Sequence, residues 1–229
     1  MRKNLIFLHG GPGFRDYLQP YFHPLSDQFR CFFYSQARGP SVTIDDLVAQ
    51  LLVHVQARPE AVLVGHSWGG VLAVEFARRY ENLLSGVALL CAGLTAPQWH
   101  EYTDDLERLG LQEAPDEQLF LVPEDIPAGG KVLLDKLMAD FSSETFESLY
   151  RSYVKSMDLL PALAALKLGV TNIFAEMDLR FPPRIPRSFR PLNPRIVDHE
   201  IKGAGHFPFL QARHREEILK ILRMALFTS

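Results

Sequence analysis

The sequence predicts an α/β fold, a mostly parallel sheet flanked by helices, and three observations carry that prediction. Short runs rich in Val, Ile, Leu and Phe alternate with longer runs whose apolar residues recur at helical spacing. One junction between two such runs reads Gly65-His66-Ser67-Trp68-Gly69-Gly70. It follows Ala61-Val62-Leu63-Val64 directly and leads into Val71-Leu72-Ala73-Val74-Glu75-Phe76-Ala77, so a G-x-S-x-G pattern falls where a strand turns into a helix. The other chemistry-bearing stretches also lie at the ends of strand-like runs, where parallel sheets place their sites.

Taken in order, the strand-like runs are Leu5–Leu8, Arg30–Tyr34, Ala61–Val64, Gly86–Cys91, Val170–Ala175 and Arg195–Ile201. A helix is expected to open at Thr43, with Asp46 as its capping-box partner, and to run to about Ala57 before Pro59. Others are expected from Ser67 to about Tyr80 and from Gln211 to Leu226, where Ile218, Leu222 and Ala225 share one face. From Leu94 to Leu166 the alternation stops. That stretch holds helical pieces, among them Val132–Met138 and Thr145–Met157, and no convincing strand. It reads as a helical cap, 94–166, inserted into a core made of 1–93 and 167–229.

Bulk properties narrow the function classes. A chain of 229 residues is one domain by length, with room for a substantial core. Its 24 basic and 27 acidic residues leave a net charge of −3, so no basic surface for nucleic acid or membrane is expected. Cys31 and Cys91 both fall in strand-like runs and read as buried reduced thiols. No signal-like or membrane-spanning apolar run is present, so the expected location is the cytoplasm. Neither a metal nor an organic cofactor is expected. His100-Glu101-Tyr102-Thr103-Asp104 lacks the second histidine of a zinc helix, and Gly10-Gly11-Pro12-Gly13 is not followed by the Lys-Ser/Thr of a phosphate loop.

Four motifs stand at four strand ends: His9-Gly10-Gly11-Pro12-Gly13, the Ser67 turn, Glu176-Met177-Asp178 with Pro182 beyond it, and Gly203-Ala204-Gly205-His206-Phe207-Pro208. The order Ser, Asp, His along the chain is that of the α/β-hydrolases, which this sequence resembles from about Leu5 to its C-terminus. The pairing of His9–Gly13 with Gly65–Gly70 is similar to the proline iminopeptidase-like branch. The sequence departs from that branch at Tyr34-Ser35-Gln36-Ala37-Arg38-Gly39-Pro40-Ser41, which keeps Arg-Gly but lacks the branch's aspartate and second glycine. The first expected strand is Leu5–Leu8, so the branch's preceding antiparallel strands are not expected here, and the expected insert is short for that branch.

Chemically, a serine hydroxyl needs a neutral imidazole to take its proton during attack, and His206, in a loop of small residues, is the candidate base. Asp178 would hold the other ring nitrogen. Glu176, Asp198 and Asp158 compete for that role; Asp178 stands at the strand end before a proline, as the resemblance implies. The backbone N–H groups of Trp68 and Gly11 are the expected oxyanion donors. His9 and His66, inside motifs, are expected to pack and hydrogen-bond the loops. From Thr95 to Gly130 nine acids face one base, Arg108, whereas Arg180 to Arg195 holds five arginines and no acid. These read either as solvated surfaces or as facing sides of a cleft mouth, the acidic side attracting a cationic substrate.

The expected activity is hydrolysis of a small carboxylic ester or related acyl compound through a Ser67 acyl-enzyme. The resemblance implies one alternative, an aminopeptidase of proline iminopeptidase type that grips a free amino terminus with cap carboxylates. A second alternative is a non-catalytic ligand-binding member of the fold. A small-molecule acyl substrate is the expected partner, and oligomeric state is open.

Overall fold

The computed structural model describes residues 2–111 and 113–227; the side chains at 101–105, 116, 226 and 227 lie outside that description. In chain order the elements are β1 (Asn4–Leu8), α1 (Gln19–Phe22), β2 (Arg30–Tyr34), α2 (Ile44–Gln56), β3 (Ala61–His66), α3 (Trp68–Tyr80) and β4 (Leu84–Leu90). Then come α4 (Ala96–Leu109), α5 (Asp116–Phe120), α6 (Gly130–Ala139), α7 (Ser143–Ser152), α8 (Leu160–Ala165), β5 (Gly169–Ala175), α9 (Arg184–Arg187), β6 (Ile196–Ile201) and α10 (Ala212–Phe227).

Among the described residues the six strands form one sheet in the order β2-β1-β3-β4-β5-β6, with every pairing parallel. Side chains alternate between its faces. Ile6, Leu8, Leu63, Val87 and Leu89 pack with residues of α2, α3 and α8. Leu5, Phe7, Val62, Val64, Ala88 and Leu90 pack on the other face with Phe22 of α1 and with Ile218, Leu219 and Leu222 of α10. Both faces are covered, which is why the strands read as continuous apolar runs. Each such fully buried Leu, Val or Phe contributes on the order of 1.5–3 kcal/mol.

Local signals explain most boundaries. Thr43 caps α2, accepting from the Asp46 N–H while Asp46 accepts from the Thr43 N–H at 2.9 Å. β3 runs two residues past Val64, because Gly65 and His66 still pair with Leu89 and Leu90 of β4. The helix expected over Thr145–Met157 breaks instead. α7 ends at Ser152, Tyr153 leaves helical geometry at φ −140° and ψ −59°, and Val154–Ser156 forms a 3-10 turn. That departure buries Val154 in the core beneath α3 and turns the Tyr153 hydroxyl toward Glu75.

The helical segment between β4 and β5 is pinned at its base. Leu159 N–H donates to Leu94 C=O (3.0 Å) and Ala96 N–H to Met157 C=O (2.8 Å), around an antiparallel bridge between Thr95 and Asp158. Its far side is tied to the loops after β1 and β2. Ser142 N–H donates to Gly13 C=O (3.0 Å), and Arg38 binds Asp140 (3.0 Å). No helix among the described residues is long and apolar enough to cross a membrane.

Candidate active site

Ser67 sits between β3 and α3 at φ 54° and ψ −117°, a strained backbone for a residue with a side chain. The crossing of strand and helix forces this geometry. A Cβ at Gly69 would collide with the Leu8 carbonyl, and one at Gly65 with the Gly69 carbonyl, so only glycine lets the helix approach the sheet this closely. The Ser67 N–H is held by Leu90 C=O at 2.9 Å. Its hydroxyl makes no hydrogen bond among the described residues, and Ser67 lines a cavity of about 320 Å³.

His206 lines the same cavity from the loop after β6. Its Nδ1 donates to Asp178 Oδ2 at 2.9 Å, which leaves the Nε2 lone pair as the ring's acceptor. The other Asp178 oxygen accepts from the Arg180 and Phe181 N–H groups at 2.8 and 3.0 Å. Both loops are brought together because β5 and β6 pair in register up to Ala175 and Ile201, after which Met177 N–H donates to Ala204 C=O (2.9 Å). The His206 ring is boxed by Phe120, Phe181, Phe207 and His66, with centroids 5.0–5.8 Å away. Cys91, buried at the end of β4, has its thiol pushed well above the ordinary value by burial and then by the neighbouring Asp178 charge.

The other acids go elsewhere. Glu176 lies just past β5 and accepts from the Gly203 N–H (3.0 Å) and then Lys202 (3.1 Å), which hold its carboxyl below the ordinary value. Asp198 accepts from Asn172 at 2.8 Å, in the middle of β6. Asp158 accepts from the Leu160 N–H at the start of α8.

Of the backbone donors expected to face an oxyanion, the Trp68 N–H opens α3, where a helix leaves its first amides without internal partners. Gly10 and Gly11 differ. The Gly10 N–H donates to the Tyr17 hydroxyl at 2.9 Å, whereas the Gly11 N–H carries no hydrogen bond among the described residues. Tyr17 in turn donates to His66 Nδ1 (2.5 Å), and His66 Nε2–H donates to the His206 carbonyl (2.8 Å). One buried chain of hydrogen bonds therefore links the loops after β1, β3 and β6. His9 takes the opposite tautomer: Nδ1–H donates to Gly10 C=O (2.7 Å) and Nε2 accepts from the Gln36 N–H (3.3 Å). Burial pushes His9 down to about 4, against the pull of the Gly10 carbonyl, and lowers His66 well below its ordinary value. Both rings are neutral at physiological pH.

Tyr17 and Gln36 were not among the residues singled out from the sequence. Gln36 lies just beyond a strand end, a position that could have drawn attention to it. Tyr17 lies in an irregular loop with no periodic signal.

The rest of the cavity is apolar. Phe14, Leu134, Leu137, Met138, Phe141 and Phe146 line it together with Trp99, Phe120 and Arg180. The Arg180 guanidinium lies 4.9 Å above the Trp99 ring and donates to the Trp99 carbonyl at 3.2 Å, so the arginine-rich loop meets the helical segment at α4. Of the acidic run, Asp125 is buried against Gln211 (2.8 Å), and Glu117 pairs with Lys131. The Glu101, Asp104, Asp105 and Asp116 side chains lie outside the described residues. A larger groove of about 530 Å³ opens at the amino ends of β4 and β5 beside α10, far from Ser67, and holds none of the motif residues.

Comparison with known proteins agrees with this architecture. The Alpha/beta hydrolase family profile matches residues 5–219. A proline iminopeptidase of Saccharolobus solfataricus is 34% identical over 134 residues, covering 52% of this chain and 42% of that protein. The chain thus spans less than half the length of that relative. An uncharacterized hydrolase of Bacillus subtilis is 26% identical over 221 residues, covering 85% of this chain and 76% of that one. The solved structure of a thermophilic esterase from Thermogutta terrifontis superposes with a TM-score of 0.76 at 21% identity, covering 99% of this chain and 90% of that one, a likeness of fold.

Proposed function

The chain belongs to the alpha/beta hydrolase family, and from that premise we propose that it is a serine hydrolase cleaving a small carboxylic ester or related acyl compound through a Ser67 acyl-enzyme. The observation that carries the reading is the buried His206–Asp178 hydrogen bond of 2.9 Å, with Ser67 and His206 lining one cavity. Ser67 Oγ attacks the acyl carbon while His206 Nε2 takes its proton, and Asp178 fixes the tautomer and stabilises the imidazolium. The carbonyl oxygen becomes an oxyanion between the Trp68 and Gly11 N–H groups, Gly10 being already engaged by Tyr17. His206 returns the proton to the leaving alcohol. Water then attacks the acyl-enzyme by the same route in reverse and releases the acid and free Ser67.

In this reading residues 94–166 act as the cap, and their apolar side chains receive the acyl group. An aminopeptidase of proline iminopeptidase type is the second reading, favoured by the Saccharolobus relative. It requires a group that holds a free amine, and among the described residues no carboxylate lines the cavity.

The test is labelling with a fluorophosphonate probe beside turnover of a panel of short p-nitrophenyl esters and proline p-nitroanilide. The wild type should label at Ser67 and hydrolyse esters. Ser67→Ala should lose labelling and about 10³-fold or more of turnover. Retention of most ester turnover in that variant sinks the mechanism, and preference for the anilide moves the substrate to the second reading.

A further inference from the structure

The two expected oxyanion donors come from different loops, Gly11 after β1 and Trp68 after β3. Their spacing must be held by something outside both, and Gln36, just past β2, touches each of them. Its backbone N–H donates to His9 Nε2 (3.3 Å), the residue that opens the Gly11 loop. Its Oε1 accepts from the Trp68 indole N–H at 2.9 Å. An indole nitrogen only donates, so this contact fixes which end of the amide is oxygen. Nε2 therefore points the other way. It lies 3.5 Å from the position a Cβ on Gly11 would occupy, and among the described residues it has no hydrogen-bond acceptor. Gln36 is 5% exposed, and a buried amide donor without a partner calls for a reason.

We propose that Gln36 is the positioning residue of the oxyanion hole. One end of its amide clamps Trp68, and the other sets an N–H dipole beside Gly11. This inference rests on the serine-hydrolase reading. The unpaired N–H adds positive potential where negative charge develops during attack, and it is oriented before the reaction begins. Its effect belongs to the transition state, so it acts on kcat and spares KM. A glutamate could accept the same indole hydrogen bond, but ionised it would set a negative charge against the forming oxyanion. That is a reason for an amide at this position.

The experiment is Gln36→Glu, which keeps the shape and the Trp68 acceptor, measured against pH with a p-nitrophenyl ester that the wild type turns over. The expected result is a kcat lower by about 100-fold at pH 8, with KM within about threefold. The deficit should shrink as pH falls, because a buried carboxyl that takes up a proton becomes neutral and regains a donor. A kcat within twofold of the wild type, with a parallel pH profile, overturns the proposal. Should this variant fail to fold, Gln36→Met carries the test. It should lose about 10-fold in kcat and bind a boronic acid inhibitor more weakly by the same factor; unchanged values for both overturn the proposal. Fluorophosphonate labelling separates loss of the serine mechanism from loss of the Gln36 role. A wild type that neither labels nor turns over ester removes the serine-hydrolase reading and this inference with it. A wild type that does both, beside an unaffected Gln36 variant, removes the inference alone.

Discussion

Asp178 and Glu75 are both buried carboxylates, and they serve opposite ends. Asp178 stands at the carboxyl end of β5 and shares its oxygens between two backbone N–H groups and an imidazole. Glu75 lies in the middle of α3, and its partners are Arg78 (2.5 Å), Arg79 (2.5 Å) and the Tyr153 hydroxyl (2.9 Å). Burial pushes the Glu75 carboxyl up, but those hydrogen bonds outweigh it and hold the carboxyl below its ordinary value. The partner makes the difference. An imidazole can release and recover a proton at neutral pH, whereas a guanidinium cannot. In the proposed mechanism a carboxylate beside His206 thus bears on chemistry, while one between two arginines holds α3 to the Tyr153 turn.

The comparison breaks most sharply at Asp178. Asp178→Asn keeps the shape but favours the wrong imidazole tautomer, so turnover should fall by about 10⁴-fold with little loss of stability. Ester kinetics and urea unfolding on the same preparation check both halves. A variant that retains a tenth of wild-type turnover removes Asp178 from the mechanism.

His9 adds a third kind of buried group, one held neutral. Its folded pKa of about 4 lies below the unfolded value near 6.5, so the native state binds fewer protons. Its contribution is complete above pH 6.5 and is lost as pH falls toward 4. At about 1.4 kcal/mol per unit the loss is about 3 kcal/mol. The lowered His66 acts with the same sign. Glu75 also loses its contribution on acidification, but below its own unfolded value. Unfolding free energies of the wild type should therefore fall between pH 6.5 and 4.5, and those of His9→Gln should fall less. Equal slopes for the two proteins would show that His9 is not held neutral.

Glu75→Gln should show the reverse of Asp178→Asn. It leaves Arg78 short of a counter-charge, while Arg79 keeps Asp45 at 2.6 Å. Because the Arg78 side chain is half exposed, the cost should be about 2 kcal/mol, below that of a fully buried pair. Ester turnover at 25 °C should stay within about threefold, and a larger fall in kcat would mean that α3 transmits strain to Ser67. The smallest effect belongs to Glu176→Gln. That exposed carboxylate pairs with Lys202 and the Gly203 N–H, so turnover should stay within about twofold and the urea unfolding midpoint should be unchanged. A crippled Glu176→Gln would reassign the acid.

The α/β architecture and the places where the motifs fall were legible in the residues alone. Apolar runs and their spacing are local properties: the shortness and β-branched content of Leu5–Leu8 and Ala61–Val64 mark strands buried on both faces, and Gly65, Ser67 and Gly69 mark a close strand–helix crossing through their own backbone requirements. The tertiary structure alone decided which polar groups meet. Asp178 and His206 are 28 residues apart, His66 and the His206 carbonyl 140, and Trp68 and Gln36 32. No spacing rule reaches across such separations. Glu176 and Asp178 lie two residues apart, and only the strand-end position before Pro182 and the resemblance favour Asp178 in the chain; in the fold one turns to Lys202 and the other to His206. Side-chain partnership depends on the register of β5 against β6 and on the turns that follow them, and those exist only once the sheet has formed. For the same reason Tyr17 carries no signal in the chain, and Gln36 none beyond its place past a strand end: their roles consist of contacts with other loops.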